Sequence, residues 1–356
     1  MSDKSMKVDM VGTARNVQWT PEAFLGYGSI KLVAPAKVNL FLAVGERRED
    51  GYHDVVNIMQ ALALHDILYL HSGRLDSAST EAALLEKVAN GEDVEIPDYF
   101  AVVGPENNLL VYIDSVDKGG VGELEIPARV NLMTKAVDAL SREIGYTSRE
   151  KISIRLEKNI PAQGGLGGGS SDAAATLVGL ARAWGLSVDD PALRGVAARL
   201  GADVAFFLDG GCAQYGGVGE KLVRTMPSRK DSVLLIKPEG GVSTPAAYAA
   251  FDENPVFVDE ALMEAAFAAE TAADVPLFNG LSSAAESLKP ELTAIRQWAE
   301  SQPGVRNVML CGSGATTFAV VDDFATACDL ASAAQLQGWW ARATMMSSLK
   351  AAIRPR

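Results

Sequence analysis

Cysteine, positive charge and long apolar runs are scarce in this chain of 356 residues, and each scarcity excludes a class of protein. The three cysteines, Cys212, Cys311 and Cys328, are odd in number and widely spaced, which favours a reducing cytoplasm over a disulfide framework or a zinc knuckle. No apolar run approaches the length that crosses a bilayer. Residues 1–20 are polar and lack an apolar core, so we expect no signal peptide there.

Positive charge is outnumbered, because 32 Lys and Arg residues stand against 45 Asp and Glu residues and give a formal net charge of −13. This balance argues against nucleic acid and against anionic membrane surfaces as partners. A local basic pocket could still hold a phosphorylated small molecule. The hydrophobic share of 48% and the charged share of 22% are typical of a globular protein, and the length is sufficient for two domains.

Glycine, in contrast, is concentrated in one stretch, NIPAQGGLGGGSSDAAAT, at residues 159–176. Five of the six residues in Gly164–Gly169 are glycine, which lets the backbone turn its N–H groups inward at positive φ. Ser170, Ser171 and the alanines that follow favour a helix start. The alternation in Lys151–Glu157 predicts a half-buried strand upstream. Strand, glycine loop and helix together predict an anion site, usually one for phosphate.

This loop differs from the commoner glycine motifs. A Walker loop would have lysine after the glycines, where Ser170 stands, and a dinucleotide fingerprint would have its third glycine there. A serine-hydrolase elbow requires glycine two residues after the serine, which neither Ser170 nor Ser171 has. A flexible linker is disfavoured because a strand and a capped alanine helix flank the loop.

Hydrophobic periodicity divides the rest of the chain. We expect an N-terminal extension over 1–29 and a surface insertion over 72–128, with a short helix at Thr80–Ala89 and a hairpin or two. Pro, Ser, Arg and Lys near Met226–Asp231 predict a boundary between domains 1–229 and 230–356. The other predicted strands are Ile30–Val33 and Val38–Val44 (broken by Pro35), Ile67–His71, Ser232–Lys237, Val305–Leu310 and Trp339–Met346. The other predicted helices are Leu132–Glu143, Ser171–Trp184, Pro191–Leu200, Thr244–Phe251, Asp259–Ala269, Pro290–Ser301 and Phe324–Gln337.

Three further groups of residues combine charge or polarity with apolar surroundings. Lys37 and Asn39 alternate on a strand that looks buried, where a lysine requires an anionic partner unless it lies at an edge and points to solvent. Residues 50–53, Asp-Gly-Tyr-His, form a predicted turn that means little alone. Asp203 is expected at the end of a helix before an apolar segment, either as a cap or as a functional carboxylate.

Five segments in this order resemble the GHMP superfamily of galactose, homoserine, mevalonate and phosphomevalonate kinases. They are APAKVNLFL (34–42), DGYH (50–53), PAQGGLGGGSSDAA (161–174), LGADVAFF (200–207) and LCGSGATTF (310–318). DGYH, LGADVAFF and GGVGE (216–220) resemble the branch that acts on a cytidine diphosphate-linked methylerythritol. The resemblance extends from about residue 32 to residue 346. It implies an α+β fold with an N-terminal ATP domain like ribosomal protein S5, a C-terminal ferredoxin-like α/β domain and an active-site cleft between them.

The resemblance also implies the reaction and the roles of residues. ATP and Mg²⁺ would serve phosphorylation of the substrate's 2-hydroxyl in the non-mevalonate route to isoprenoids. Asp203 would be the general base, and Lys37 would steady its charge and that of the attacking oxygen. Asn131, preferred over Asn108, and Lys158 would contact adenosine, and Ser170 or Ser171 would meet the metal. The loop residues expected to hold ATP are Pro161, Gln163, Gly164, Gly165, Leu166, Gly167, Gly168, Gly169, Ser170 and Ser171.

On the substrate side, the resemblance implies contacts from Asn39, Tyr52, His53, Thr244 and Tyr248. Tyr52 and Tyr248 would stack on the cytosine, and His53 would bind its edge. We expect a monomer or homodimer. Two alternatives are another superfamily kinase for homoserine or mevalonate, disfavoured by the Tyr-His pair, and a ligand sensor without activity, disfavoured by the presence of Lys37 and Asp203.

Two departures from the family pattern lie inside these motifs. Gln163 stands where glycine is usual, and Ala205 stands where proline commonly follows GADV. Neither removes a donor or a charge. The insertion 72–128 is longer than the family requires, and the resemblance assigns it no role.

Overall fold

The computed structural model describes residues 28–122 and 126–354, so almost all of the predicted extension 1–29 lies outside the described residues. In the described part, the strands are β1 (Ile30–Arg47), β2 (His53–Arg74), β3 (Phe100–Val103), β4 (Leu109–Asp117), β5 (Glu150–Lys158), β6 (Cys212–Gly216), β7 (Lys221–Met226), β8 (Ser232–Lys237), β9 (Phe278–Asn279), β10 (Val305–Leu310), β11 (Thr317–Val321), β12 (Trp340–Met345) and β13 (Ala352–Ile353).

The helices are α1 (Thr80–Ala89), α2 (Leu132–Glu143), α3 (Gly168–Trp184), α4 (Pro191–Leu200), α5 (Ala202–Asp209), α6 (Thr244–Glu253), α7 (Glu260–Ala268), α8 (Ser282–Leu288), α9 (Glu291–Glu300) and α10 (Phe324–Leu336), with a 3-10 turn at Ala128–Val130. Helices α1, α2 and α4 have the predicted bounds. Side chains at their N-caps explain this agreement, since Ser79, Asn131 and Asp190 each accept a backbone N–H from the first turn. Within the described ranges, no helix is long and apolar enough to cross a membrane.

The larger sheet has the order β13-β1-β2-β5-β4-β3, with β6 and β7 added beside β2 and β9 beside β1. The predicted break at Pro35 is wrong, because β1 continues through a register shift between Pro35 and Lys37. Proline is tolerated in a sheet at such bulges. Residues 55–66, whose mixed apolar spacing predicted no element, belong to β2. Much of this part of β2 is buried on both faces, which removes the alternation expected of a half-exposed strand.

The insertion 72–128 is more than a surface excursion. It contains the predicted helix and one antiparallel hairpin, β3–β4. Strand β4 also pairs in parallel with β5 along its whole length, and Leu109, Leu110 and Val111 are fully buried. The expectation of a segment lying only on the surface is therefore wrong, because β4 completes the sheet on which the glycine loop is built.

The smaller sheet is antiparallel, in the order β10-β11-β8-β12, and is covered by α9 and α10. The sequence of β8, helices, β10, β11, α10 and β12 is the ferredoxin-like arrangement that the resemblance implied. The domain boundary between residues 229 and 230 falls between β7 and β8. This boundary stays a prediction. Strands β9 and β13 follow it in the sequence, yet they pair with β1 in the larger sheet.

Candidate active site

A cavity of about 890 Å³ lies over the glycine loop between β5 and α3. Gly165 and Gly167 both have φ of +72°, the left-handed conformation that side chains disfavour. The loop therefore presents backbone to the cavity, as a phosphate site requires. The predicted nucleotide residues along its wall are Asn131, Lys158, Pro161, Gln163, Gly164, Gly165, Leu166, Gly167, Gly168, Gly169 and Ser170.

A second glycine loop, residues 311–317, holds the first one in place. The Thr316 N–H donates to the Gly164 carbonyl over 3.1 Å, and the Ala315 N–H donates to the Gln163 carbonyl over 3.2 Å. A Cβ on Gly165 would lie 2.1 Å from the Cys311 carbonyl oxygen. This distance leaves no space for any side chain, so the packing of the two loops requires glycine at residue 165.

Gln163 occupies the position where the family pattern has glycine, and it keeps a glycine-like backbone with φ of +52°. Its neighbour Gly241 makes this possible, because a Cβ on Gly241 would lie 2.4 Å from the Gln163 Cβ. The departure in the loop is thus accommodated by a glycine in the segment that precedes α6.

Lys37 lies in β1 beneath the loop and is almost fully buried. Its Nζ lies 2.8 Å from the Asn39 Oδ1 and 3.5 Å from the Asp203 Oδ2, and its backbone N–H donates to the Leu166 carbonyl. The prediction of an anionic partner for a buried Lys37 is confirmed. Asn39 in turn donates from Nδ2 to Asn57. This chain of contacts fixes the lysine ammonium beside a carboxylate that is 31% exposed.

Asp203 itself lies in the first turn of α5, whereas the sequence placed it at the end of a helix. The segment after Leu200 was not recognised as a separate short helix, because Gly201, with φ of +155°, separates two helices that are adjacent in sequence. A carboxylate in a first helical turn is stabilised by the N–H groups there. The first turn of α5 thus places the Asp203 carboxylate beside the Lys37 ammonium.

Two of the predicted substrate residues, His53 and Tyr248, are in contact with each other. Burial, and then the charge of Asp203, raise the pKa of Tyr248 above its ordinary value. The His53 ring packs on the Tyr248 ring with centroids 5.4 Å apart. The His53 Nδ1 lies 2.9 Å from the Gly45 carbonyl oxygen, and the His53 Nε2 lies 3.3 Å from the Asp252 Oδ1. The structure thus brings His53 and Tyr248 together.

Tyr52 lies on an exposed turn, and Thr244 lies beside the second glycine loop. The Tyr52 side chain is 64% exposed on the turn before β2. Thr244 begins α6, and its hydroxyl lies 2.9 Å from that of Ser313 in the second glycine loop. The contact between Thr244 and Ser313 connects the substrate side to the loop pair.

Sequence reasoning missed a buried group of charges under the loop. Lys158, predicted to touch adenosine, pairs its Nζ with Asp66 on β2 and with the Asp172 Oδ2, 2.9 Å away. The Asp66 Oδ1 also accepts the N–H groups of Asn159 and Ile160. A Cβ on Gly168 would lie 3.0 Å from the Lys158 Nζ, so the ammonium lies directly beneath the loop. The same isolation in an apolar segment that singled out Lys37 could have singled out Asp66.

The protonation of Asp172 follows from this burial. Burial raises the pKa of the Asp172 carboxyl from 3.8 to about 7, against the opposing effect of the Lys158 ammonium. The same two carboxylates raise the pKa of Lys158 in spite of its burial. Below pH 7 the Asp172 carboxyl is therefore mostly protonated, next to the Lys158 ammonium.

This group predicts a pH effect on stability. Between pH 4 and 7 the folded chain keeps a proton on Asp172 that the unfolded chain has released, so the contribution of Asp172 to the stability of the wild type falls as pH rises. Asp172→Asn removes this titration. We expect its free energy of unfolding, relative to wild type, to rise across that window by up to about 1.4 kcal/mol per pH unit. Urea melts at several pH values measure this, with the exposed Asp189→Asn as control. A constant difference between Asp172→Asn and wild type would contradict the raised pKa.

The residues near the helix start fit a bound phosphate and its metal. The hydroxyl of Ser171, the Oδ1 of Asp172 and the hydroxyl of Thr316 are buried without a hydrogen-bond partner. Buried polar atoms are normally satisfied, so these sites suit a polar ligand. No cluster of three or more His, Cys, Asp or Glu side chains suited to a metal occurs in the described ranges. Ser170, half-buried, lines the cavity, whereas Ser171 is fully buried.

Asn131 and Asn108 have different surroundings. Asn131 caps α2 through its Oδ1 and lines the cavity. Asn108 is buried and donates to the carbonyls of Tyr146 and Ser148. These contacts support Asn131 as the residue available to a nucleotide.

Comparisons with known proteins give the following similarities. The family model of the GHMP kinases N terminal domain matches residues 131–211, and that of the GHMP kinases C terminal domain matches residues 262–338. The chain is 34% identical over 298 residues to the 4-diphosphocytidyl-2-C-methyl-D-erythritol kinase of Desulfitobacterium hafniense (strain Y51), covering 82% of this chain and 87% of that protein. It is 37% identical over 292 residues to the enzyme of the same name from Nocardia farcinica (strain IFM 10152), covering 80% and 82%.

A solved structure agrees with these relatives. The crystal structure of a 4-(cytidine 5'-diphospho)-2C-methyl-D-erythritol kinase superposes with a TM-score of 0.65 at 30% sequence identity. The match covers 89% of this chain and 100% of that one. The similarity therefore extends over both sheets and over both glycine loops.

Proposed function

Because the chain belongs to the 4-diphosphocytidyl-2-C-methyl-D-erythritol kinase family of the GHMP kinases, we propose that it transfers the γ-phosphoryl group of ATP to the 2-hydroxyl of 4-diphosphocytidyl-2-C-methyl-D-erythritol. The reaction belongs to the non-mevalonate route to isoprenoid precursors. The observation that carries the proposal is the ion pair between the buried Lys37 and Asp203, which is joined to the phosphate loop by the hydrogen bond from the Lys37 N–H to the Leu166 carbonyl.

Each part of the site has one task in this reaction. The N–H groups of the glycine loop and the start of α3 hold the phosphates. The Asp203 carboxylate accepts the proton of the attacking hydroxyl, and the Lys37 ammonium stabilises the charge that develops on that oxygen. Phosphoryl transfer requires mainly alignment and charge neutralisation, to which a Mg²⁺ bound with the nucleotide contributes. The half-buried Ser170, on the cavity wall, is the better candidate of the two serines to meet that ion.

Substrate choice rests on the His53–Tyr248 pair. A cytosine stacked on Tyr248 would extend the aromatic contact between these two rings. Tyr52, exposed in the free protein, would close over the base from the turn before β2. Homoserine and mevalonate have no base for such a site, which disfavours kinases for them as alternatives.

The experiment that tests the function is an assay of ADP release with ATP and Mg²⁺. We expect turnover with 4-diphosphocytidyl-2-C-methyl-D-erythritol and at least 10³-fold lower kcat/KM with homoserine or mevalonate, because a polar site left without its partner costs binding heavily. Chelation of Mg²⁺ with EDTA should abolish the reaction. Equal turnover of the three acceptors would defeat the assignment of the substrate.

His53→Ala tests the substrate side alone. We expect KM for the cytidyl substrate to rise about 10-fold or more, since the variant removes a base contact and a ring that supports Tyr248. KM for ATP should stay within a factor of two. His71→Ala, on β2 away from the cavity, is the matched control. A higher KM for ATP with an unchanged KM for the cytidyl substrate would place His53 on the wrong ligand.

A cytoplasmic location is part of the same proposal. The three cysteines are free thiols, and burial raises the pKa values of Cys212 and Cys311 to about 12, so both stay protonated. A monomer or a homodimer is the predicted oligomeric state, and sedimentation of the purified protein measures it.

A further inference from the structure

We propose that Tyr99, carried by the insertion 72–128, forms the stacking face for the adenine base of ATP. This inference rests on the proposed function in that it takes ATP as the nucleotide. It gives a role to a segment for which the family resemblance offers none.

The insertion reaches the same cavity as the phosphate loop. Tyr99 lines this cavity immediately before β3, and its carbonyl accepts the N–H of Ile113 on β4. Along the parallel β4–β5 pair, Asp117 lies beside Lys158 at the loop end, four residues from Ile113. At the usual rise of a strand, Tyr99 is about 13 Å from the loop along β4. This separation leaves room for ribose and phosphates between the two ends of the cavity.

The two ends of the cavity differ in chemistry. The loop end presents the backbone of the glycine loop, with the Lys158 ammonium buried beneath it. The other end presents three large apolar side chains to solvent, with Tyr99 39% exposed, Ile126 47% and Val130 53%. Exposed apolar side chains that cluster around one cavity mark a binding surface. A flat, aromatic ligand portion suits this end, as a purine does.

Tyr99 is held in position by the insertion's own packing. Its ring lies 4.8 Å from that of Phe100 and 6.0 Å from that of Tyr112, centroid to centroid. The Asp98 carbonyl accepts the Ala128 N–H, and its carboxylate pairs with Arg129. These two contacts tie the start of β3 to the turn that precedes Asn131. An aromatic ring held before binding loses little entropy when a base stacks on it.

The expected effect is confined to ligands that have a base. Loss of one base–aromatic contact corresponds to a weakening of about 5- to 150-fold. Tyr99→Ala should therefore raise the Kd of ADP by that factor, while Tyr99→Phe, which keeps the ring, should change it less than about two-fold. Inorganic tripolyphosphate, which has no base, should bind both variants as it binds the wild type.

The experiment is titration calorimetry of the full chain with ADP and with tripolyphosphate, both with Mg²⁺. Phe324→Ala, on an exposed aromatic of α10, serves as the control for general effects of losing a surface ring. Tyr99→Ala with wild-type affinity for ADP would overturn the inference. An equal loss of affinity for tripolyphosphate would also overturn it, because that loss would show that the substitution disturbs the glycine loop that holds the phosphates. The titrations contain no acceptor substrate, so they test the adenine contact alone. A wild type that binds ADP in the titration but does not phosphorylate the cytidyl alcohol in the kinase assay would refute only the proposed acceptor.

Discussion

Asparagine in place of Asp203 is expected to lower kcat about 10²–10⁴-fold, the usual contribution of a positioned general base. The substitution keeps the size and shape of the side chain but removes its charge and basicity. Nucleotide binding should change little, because we expect the backbone of the glycine loop to hold the nucleotide, and Asp203 lies in another segment. Steady-state kinetics with both substrates measures kcat and the two KM values. Near wild-type turnover by Asp203→Asn would show that another group accepts the proton, or that none is needed in a loose transition state.

Lys37→Met belongs to the same experiment. The ammonium lies 3.5 Å from the Asp203 Oδ2, so its removal leaves the carboxylate without its partner and the attacking oxygen without its cation. We expect kcat to fall here as well. Because the two residues act as one unit, the double variant should lose far less than the product of the single losses. Multiplicative losses would indicate that Lys37 and Asp203 act independently.

Alanine in place of Gly165 should have the largest effect on the fold of the site. The residue has φ of +72°, and its new Cβ would meet the Cys311 carbonyl oxygen at 2.1 Å. Strained φ values alone cost roughly 1–3 kcal/mol, and the overlap adds to this cost by forcing the two glycine loops apart. We expect a loss of at least about 2 kcal/mol in the free energy of unfolding and a marked rise in KM for ATP.

Gly169→Ala is the matched control for Gly165→Ala. Gly169 lies in the same loop, yet a Cβ there would have no atom within 4 Å in the free protein. Its urea midpoint should stay at or above that of wild type, since alanine favours the helix that begins there. Equal stability of the two variants would contradict the requirement for glycine at residue 165.

The pairing of Lys37 with Asp203 could be predicted from sequence because the family resemblance supplied the partner that local residues alone did not identify. A lysine in an apolar strand requires an anion, and the five ordered motifs indicated which one. The partners of Lys158 could not be found in this way. Asp66 lies on another strand of the sheet, and only the pairing of β2 with β5 brings it to Lys158. The same argument applied to Asp66, fully buried in β2, would have predicted a cation but not identified it.

Element prediction succeeded where local signals were strong and failed where tertiary structure overrides them. The capped helix Leu132–Glu143 was predicted with its observed bounds. The continuous strand β1 was not, because whether Pro35 ends a strand or forms a bulge depends on what its partner β2 can accommodate. In the insertion, β4 was underestimated since parallel pairing with β5 leaves no signal within β4 itself.

The pairing of β13 with β1 gives this fold a particular order of assembly during synthesis. Leu32 pairs with Ile353, and the Ala351 N–H donates to the carbonyl of Phe207 in α5. At ribosomal rates the two strands emerge on the order of tens of seconds apart. The edge of β1 that pairs with β13 therefore stays unpaired until the ferredoxin-like part has been synthesised. A nascent chain halted after β7 would have the glycine loop and Asp203 but neither β9 nor β13. Such a chain would also lack the second glycine loop, so the hydrogen bonds from Ala315 and Thr316 that hold the first loop can form only after the second sheet has been made.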